Sequence, residues 1–232
     1  MSNDPIPAWR YLLLAVLTFL LLGADMVSVV VAKLLDGRAA SDPRLWSNHW
    51  YATVGGFLCS VVMWSVWVSA LVAWSKRRGV LASLLGEKAD TRATAVLVAG
   101  AVVLAGLGVM EAHMSGGGFP SIAAEYQGFL RKYAGHGLVV TIFQYFYYLL
   151  ESAMVVALLA LVQRAFERWT HRPRVPWGGI ALALSWGAAH LGTHPQGAVI
   201  IVLIALLYGI AFVAARKNGP ATLALVYLGF VL

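Results

Sequence analysis

The stretch GLVVTIFQYFYYLLESAMVVALLALVQ, residues 137–163, decides the fold. It contains one carboxylate, Glu151, and no basic residue. It is longer than the roughly 20 apolar residues that span a bilayer's hydrocarbon. In lipid the backbone must satisfy its own polar groups, and a strand of a β-barrel would alternate polar and apolar positions. That alternation is absent, so the stretch reads as a membrane helix. Six further apolar segments lie around it, at 10–34, 50–74, 93–112, 176–193, 196–215 and 219–232. The expectation is an all-α, polytopic integral membrane helix bundle of about seven transmembrane helices. It forms a single membrane domain, 1–232, with 137–232 as the candidate functional core.

Composition supports this. Of 232 residues, 60% are hydrophobic and only 12% are charged, against roughly 25% charged in soluble domains. Mean hydropathy is +0.77. These values exclude a disordered chain and an ordinary soluble α/β enzyme. The net charge of +7 comes from short basic clusters between apolar runs. They read as topology signals, so no nucleic-acid partner is expected. The single cysteine, Cys59, allows no internal disulfide.

Basic residues also set the expected orientation. With the N-terminus inside, Arg10, the cluster from Lys76 to Arg92, the cluster Arg164–Arg174, and Arg216 with Lys217 all fall on the cytoplasmic side. Lys33, Arg38, Arg44, Arg131 and Lys132 fall outside. The expectation is therefore N-terminus in and C-terminus out, in a bacterial plasma membrane. A signal peptide is the weaker reading of the first segment, because its apolar run continues through Met26–Ala32. The outer loop opens with Ser115-Gly116-Gly117-Gly118-Phe119-Pro120, a turn-former. A short amphipathic stretch follows it and is expected in the interface.

Ionisable groups at membrane depth are functional candidates by default. Glu151 has Tyr148, Tyr147 and Gln144 at i−3, i−4 and i−7, so one face of its helix is polar and aromatic. In the fifth segment Trp186, His190 and His194 recur at i, i+4 and i+8. Glu151 lies 13 residues from Arg164, about 20 Å at 1.5 Å per residue. His190 lies 14 residues past position 176, about 21 Å. On antiparallel neighbouring helices the two can meet at one level. The candidate catalytic set is Glu151, His190 and His194. Gln144, Tyr147, Tyr148 and Trp186 are the candidate substrate-binding set. A packing role stays open for both groups, as a hydrogen-bonded carboxylic acid and as interhelical histidine contacts. Asp25, in the outer half of the first segment, could line the same cavity. Glu111, His113 and His136 read as headgroup-level residues at segment ends.

A Glu on one membrane helix followed by aromatic-x-x-x-His on the next resembles the CPBP (Abi) family of CAAX-type intramembrane proteases and their bacteriocin-immunity relatives. Glu151 matches the first motif and Trp186-Gly187-Ala188-Ala189-His190 the second. The likeness covers about 137–232. Ser152 stands in place of the family's second Glu and Val156 in place of its Arg. Leu225 or Tyr227 stands where the third motif carries His. The resemblance implies a glutamate that activates water for attack on a peptide carbonyl, with His190 assisting and His194 in the oxyanion role. The expected partners are the lipid bilayer and a membrane-protein or membrane-peptide substrate.

Two other functions compete. One is a catalytically degenerate relative that binds or regulates a membrane partner. The other is a haem or metal protein ligated by His190, His194, His136 or His113. Neither a metal nor a cofactor is expected, because the histidines have no thiolate and no second carboxylate at their depth. A transporter has little support, since no inverted repeat or broken helix pair is visible.

Overall fold

The computed structural model describes residues 6–37, 48–86, 91–115, 118–193 and 198–232, with the side chains of 191–193 and 198 outside the description. Among the described residues it is helical and has no strand. Four helical stretches, Ala8–Leu35, Trp50–Arg77, Thr91–Met114 and Ser121–Thr170, are long and apolar enough to cross a membrane. Where they are described, all seven apolar segments are helical, but the later helices are short. The last, α11 (Gly219–Val231), has 13 residues, about 20 Å of helix against a hydrocarbon thickness of about 30 Å.

The first segment is not one straight helix. It divides into α1 (Ala8–Gly23) and α2 (Asp25–Leu35), with Ala24 at φ −72° and ψ 0° between them. The last carbonyls of a helix lack intrahelical donors. Here the Leu21 carbonyl accepts the Trp64 indole N–H at 2.7 Å. Trp67 donates to Thr18 Oγ1 at 3.0 Å. Both indoles belong to α3 (Trp50–Arg77). The division sends α1 mainly onto α7 and α2 mainly onto α3.

After α3 come the short α4 (Leu81–Leu85), then α5 (Thr91–Ser115) and α6 (Ser121–Tyr133). A 3₁₀ turn, Ala134–His136, leads into α7 (Gly137–Thr170). Ala134 takes a positive φ of 48°, which reverses the chain, and α6 folds back along α7. A Cβ on Gly137 would lie 2.8 Å from the Leu130 backbone, so the absence of a side chain permits the hairpin.

Helix α7 is the axis of the bundle. Its most apolar window is 61% buried, against 17–28% for the other three long stretches. It packs on α1, α3, α6, α8 and α11. The fifth segment runs as α8 (Trp177–Leu182), a π-helical turn (Ala183–Gly187) and α9 (Ala188–Thr193). Helices α10 (Ala198–Ala214) and α11 complete the bundle. The Asn218 side chain caps α11 by accepting from the Ala221 N–H at 2.9 Å, and Pro220 sits in its first turn. The basic clusters gather at one end. Arg92 Nε donates to the Ala214 carbonyl at 2.7 Å. Lys217 Nζ lies 2.7 Å from Glu167 Oε2. Tyr11, next to Arg10, contacts Trp74 edge-on at 6.1 Å.

Candidate functional site

Glu151 sits midway along α7 and is 8% exposed. Its Oε1 accepts the Trp186 indole N–H at 3.4 Å, from the π-helical turn. A π turn shifts the side chains that follow it and is a feature often found at functional sites. His190 Nδ1 lies 2.7 Å from the Trp186 carbonyl oxygen. A carbonyl only accepts, so Nδ1 carries a hydrogen, which leaves Nε2 turned away from that carbonyl. The Trp186 and His190 rings meet with centroids 4.5 Å apart. Glu151 and His190 both contact Trp186 and so stand in one cluster.

A second carboxylate lies beside them. Asp25, at the start of α2, is close enough to Glu151 and His190 for their charges to interact. The division between α1 and α2 places it there. Tyr147 donates to Asp25 Oδ2 at 3.1 Å. The Tyr147 ring is wedged against Trp64 and Phe57, at centroid distances of 4.9 and 5.3 Å. Tyr208 of α10 also faces Glu151. The absence of a second carboxylate at the depth of His190, on which the no-metal expectation rested, is therefore corrected by Asp25. Among the described residues, no three His, Cys, Asp or Glu side chains group closely enough to hold a metal ion. His136 stacks on Trp50 with centroids 4.6 Å apart.

The expected substrate-binding set divides. Tyr147 and Trp186 belong to the Glu151 cluster. Gln144 and Tyr148 turn to Glu125 on α6. Tyr148 donates to Glu125 Oε1 at 2.7 Å, and Gln144 Nε2 donates to the Tyr148 hydroxyl at 2.6 Å. Tyr148 also stacks on Phe230 of α11 at 5.0 Å. Glu125 has no sequence signal as a site residue, because only the α6 reversal brings it there. His194 lies outside the described residues.

A cavity of about 270 Å³ opens between α3, α4, α7 and α11. It is lined by apolar residues such as Val68, Leu71, Val156 and Leu223, with Ser75 and Gly219 toward the basic end. Glu151 and His190 are not among its walls. Compared with known proteins, the chain matches no family model, no curated protein and no solved structure.

Proposed function

We propose that the chain is a membrane-embedded, glutamate-dependent hydrolase that cleaves a membrane-borne peptide segment, as the resemblance to CPBP-type proteases implies. The observation that supports this is the convergence of Asp25, Glu151 and His190, from α2, α7 and α9, around Trp186. Titratable groups gathered in an apolar bundle are costly, and their clustering favours a chemical role. In this reading Glu151 takes a proton from water as the water oxygen bonds to the peptide carbonyl carbon. The proton then passes to the leaving nitrogen as the C–N bond breaks. His190 orients the water through Nε2. The N-terminus and the basic end face the cytoplasm, and the C-terminus faces outward.

A second reading is a degenerate relative that binds a membrane partner. It is favoured by Leu225, which is 1% exposed and packs on Gly100 of α5 where the third motif carries a histidine. One experiment separates the two. Wild-type and Glu151→Gln proteins are reconstituted with solubilised membrane proteins, and new peptide termini are mapped by mass spectrometry. Hydrolysis predicts termini that appear with wild type and vanish with Glu151→Gln. Identical termini in both samples, or none in either, would leave the binder.

A further inference from the structure

The cavity between α3, α4, α7 and α11 takes no part in the Glu151 cluster. Helices α3 and α11 both pack on α7 but hardly meet each other, so a groove is left between them. Its floor is α7, where Ala153, Ala157 and Ala160 recur at i, i+4 and i+7 and keep it deep. The floor residues run from 153 to 161, about 12 Å of helix. Helix α4 bridges α3 and α11 at the basic end and turns its leucines into the groove. Gly86, at a φ of 68°, closes α4 against the start of α11. A Cβ there would lie 2.6 Å from the Lys217 carbonyl oxygen.

Two observations indicate what the groove takes. The first is Ser75, the one polar side chain in the lining among the described residues. It is 4% exposed, and its hydroxyl makes no hydrogen bond among the described residues. Such a group is open to a partner that a ligand brings. The second is charge. The α3 face that lines the groove runs through Val68, Leu71, Val72 and Ser75. Helical spacing carries it on to Lys76, four residues past Val72, and to Arg78, three past Ser75. Both cations are exposed, and no carboxylate among the described residues pairs with either.

An apolar trough in a membrane bundle, with a hydroxyl and two cations at one end, matches an amphiphile with a negative head. We infer that the groove binds an anionic phospholipid, one acyl chain lying on the α7 alanines and the phosphate at Ser75, Lys76 and Arg78. A peptide segment fits less well, because its backbone amides need partners at membrane depth and the lining offers them only Ser75. An acyl chain brings no such groups. A neutral headgroup would leave the two cations unanswered. The inference is independent of the hydrolase reading, since Glu151 and His190 are not among the walls.

The test uses the full-length protein in detergent. It is incubated with phosphatidylglycerol carrying a photoactivatable diazirine in one acyl chain, irradiated and digested, and adducts are located by mass spectrometry. Adducts are expected on the groove faces of α3, α7 and α11. Unlabelled phosphatidylglycerol should compete about tenfold better than phosphatidylcholine with the same chains, since each Lys or Arg near an anionic headgroup adds to its affinity. Lys76→Gln combined with Arg78→Gln should reduce that preference to about twofold. Ala157→Phe fills the floor and should remove the groove adducts. If that variant fails to fold, the wild-type adduct map and competition still decide. Adducts spread over outward faces such as that of α5, or equal competition by the two lipids, would overturn the inference. So would an unchanged preference in the protein lacking both cations.

Discussion

The crossing of α8 and α10 offers the sharpest test of the packing. Gly179 and Gly209 meet there backbone to backbone. A Cβ on Gly209 would lie 2.2 Å from Gly179 Cα and 2.5 Å from its N, where ordinary contact begins near 3.4 Å. The helices would have to separate by about 1.2 Å, because neither neighbour is a side chain that can swing away. Helix α8 cannot yield by moving off α10. On its other side Gly178 is pressed against α7, and a Cβ there would lie 2.4 Å from the Leu159 carbonyl oxygen. Overpacking typically costs 1–3 kcal/mol. With backbone on both sides of α8, Gly209→Ala should sit near the top of that range. The better helix propensity of alanine returns about 1 kcal/mol, leaving a net loss of about 2 kcal/mol. For a chain of this size that lowers the unfolding temperature by about 4–8 °C. Gly106→Ala is the control, since a Cβ there meets nothing within 4 Å. The assay is thermal unfolding of purified protein followed by tryptophan fluorescence. Activity should fall as well, because α8 leads directly into the turn that holds Trp186 against Glu151. A Gly209→Ala protein that melts at or above wild type, as Gly106→Ala should by propensity alone, would refute this reasoning.

Three further outcomes are expected. Trp64→Phe removes the donor to the Leu21 carbonyl at the α1–α2 division and should cost about 2 kcal/mol in denaturant unfolding, whereas Trp9→Phe, at an exposed position, should be nearly silent. Lys217→Met leaves Glu167, whose side chain is 7% exposed, with its 2.7 Å bond from Gln163 but no cation among the described residues; a loss of about 2 kcal/mol is expected, and adding Glu167→Gln should recover most of it. Reporter fusions at residues 80 and 170 should both read as cytoplasmic, and an external signal at either would reverse the proposed orientation.

The sequence makes the helical segments legible because each is a long apolar run, and lipid leaves helix as the economical solution for such a run. Glu151 stands out for the same reason, as a lone carboxylate in a span. Asp25 was visible only as a nearby candidate. Its place beside Glu151 depends on the α1–α2 division, and no strong helix breaker marks that point, only Gly23-Ala24-Asp25. Glu125 was hidden because its place depends on Ala134 adopting a positive φ, which sterics disfavour for any residue but glycine. The i, i+4 spacing of Trp186 and His190 suggested one shared face. The two rings are in contact, and Trp186 carries the hydrogen bond from the π turn to Glu151. The expected set of Gln144, Tyr147 and Tyr148 shares one side of α7. Two different neighbours, α2 and α6, divide it, and helix periodicity carries no information about which partner stands opposite.

Glu151-dependent hydrolysis is tested most directly by the origin of the oxygen in a product. Reconstituted wild-type protein is given solubilised membrane proteins in ¹⁸O-labelled water, beside Glu151→Gln under the same conditions. The account predicts new C-terminal carboxyl groups carrying the label with wild type and none with Glu151→Gln. Labelled termini formed equally by both proteins, or by neither, would contradict it.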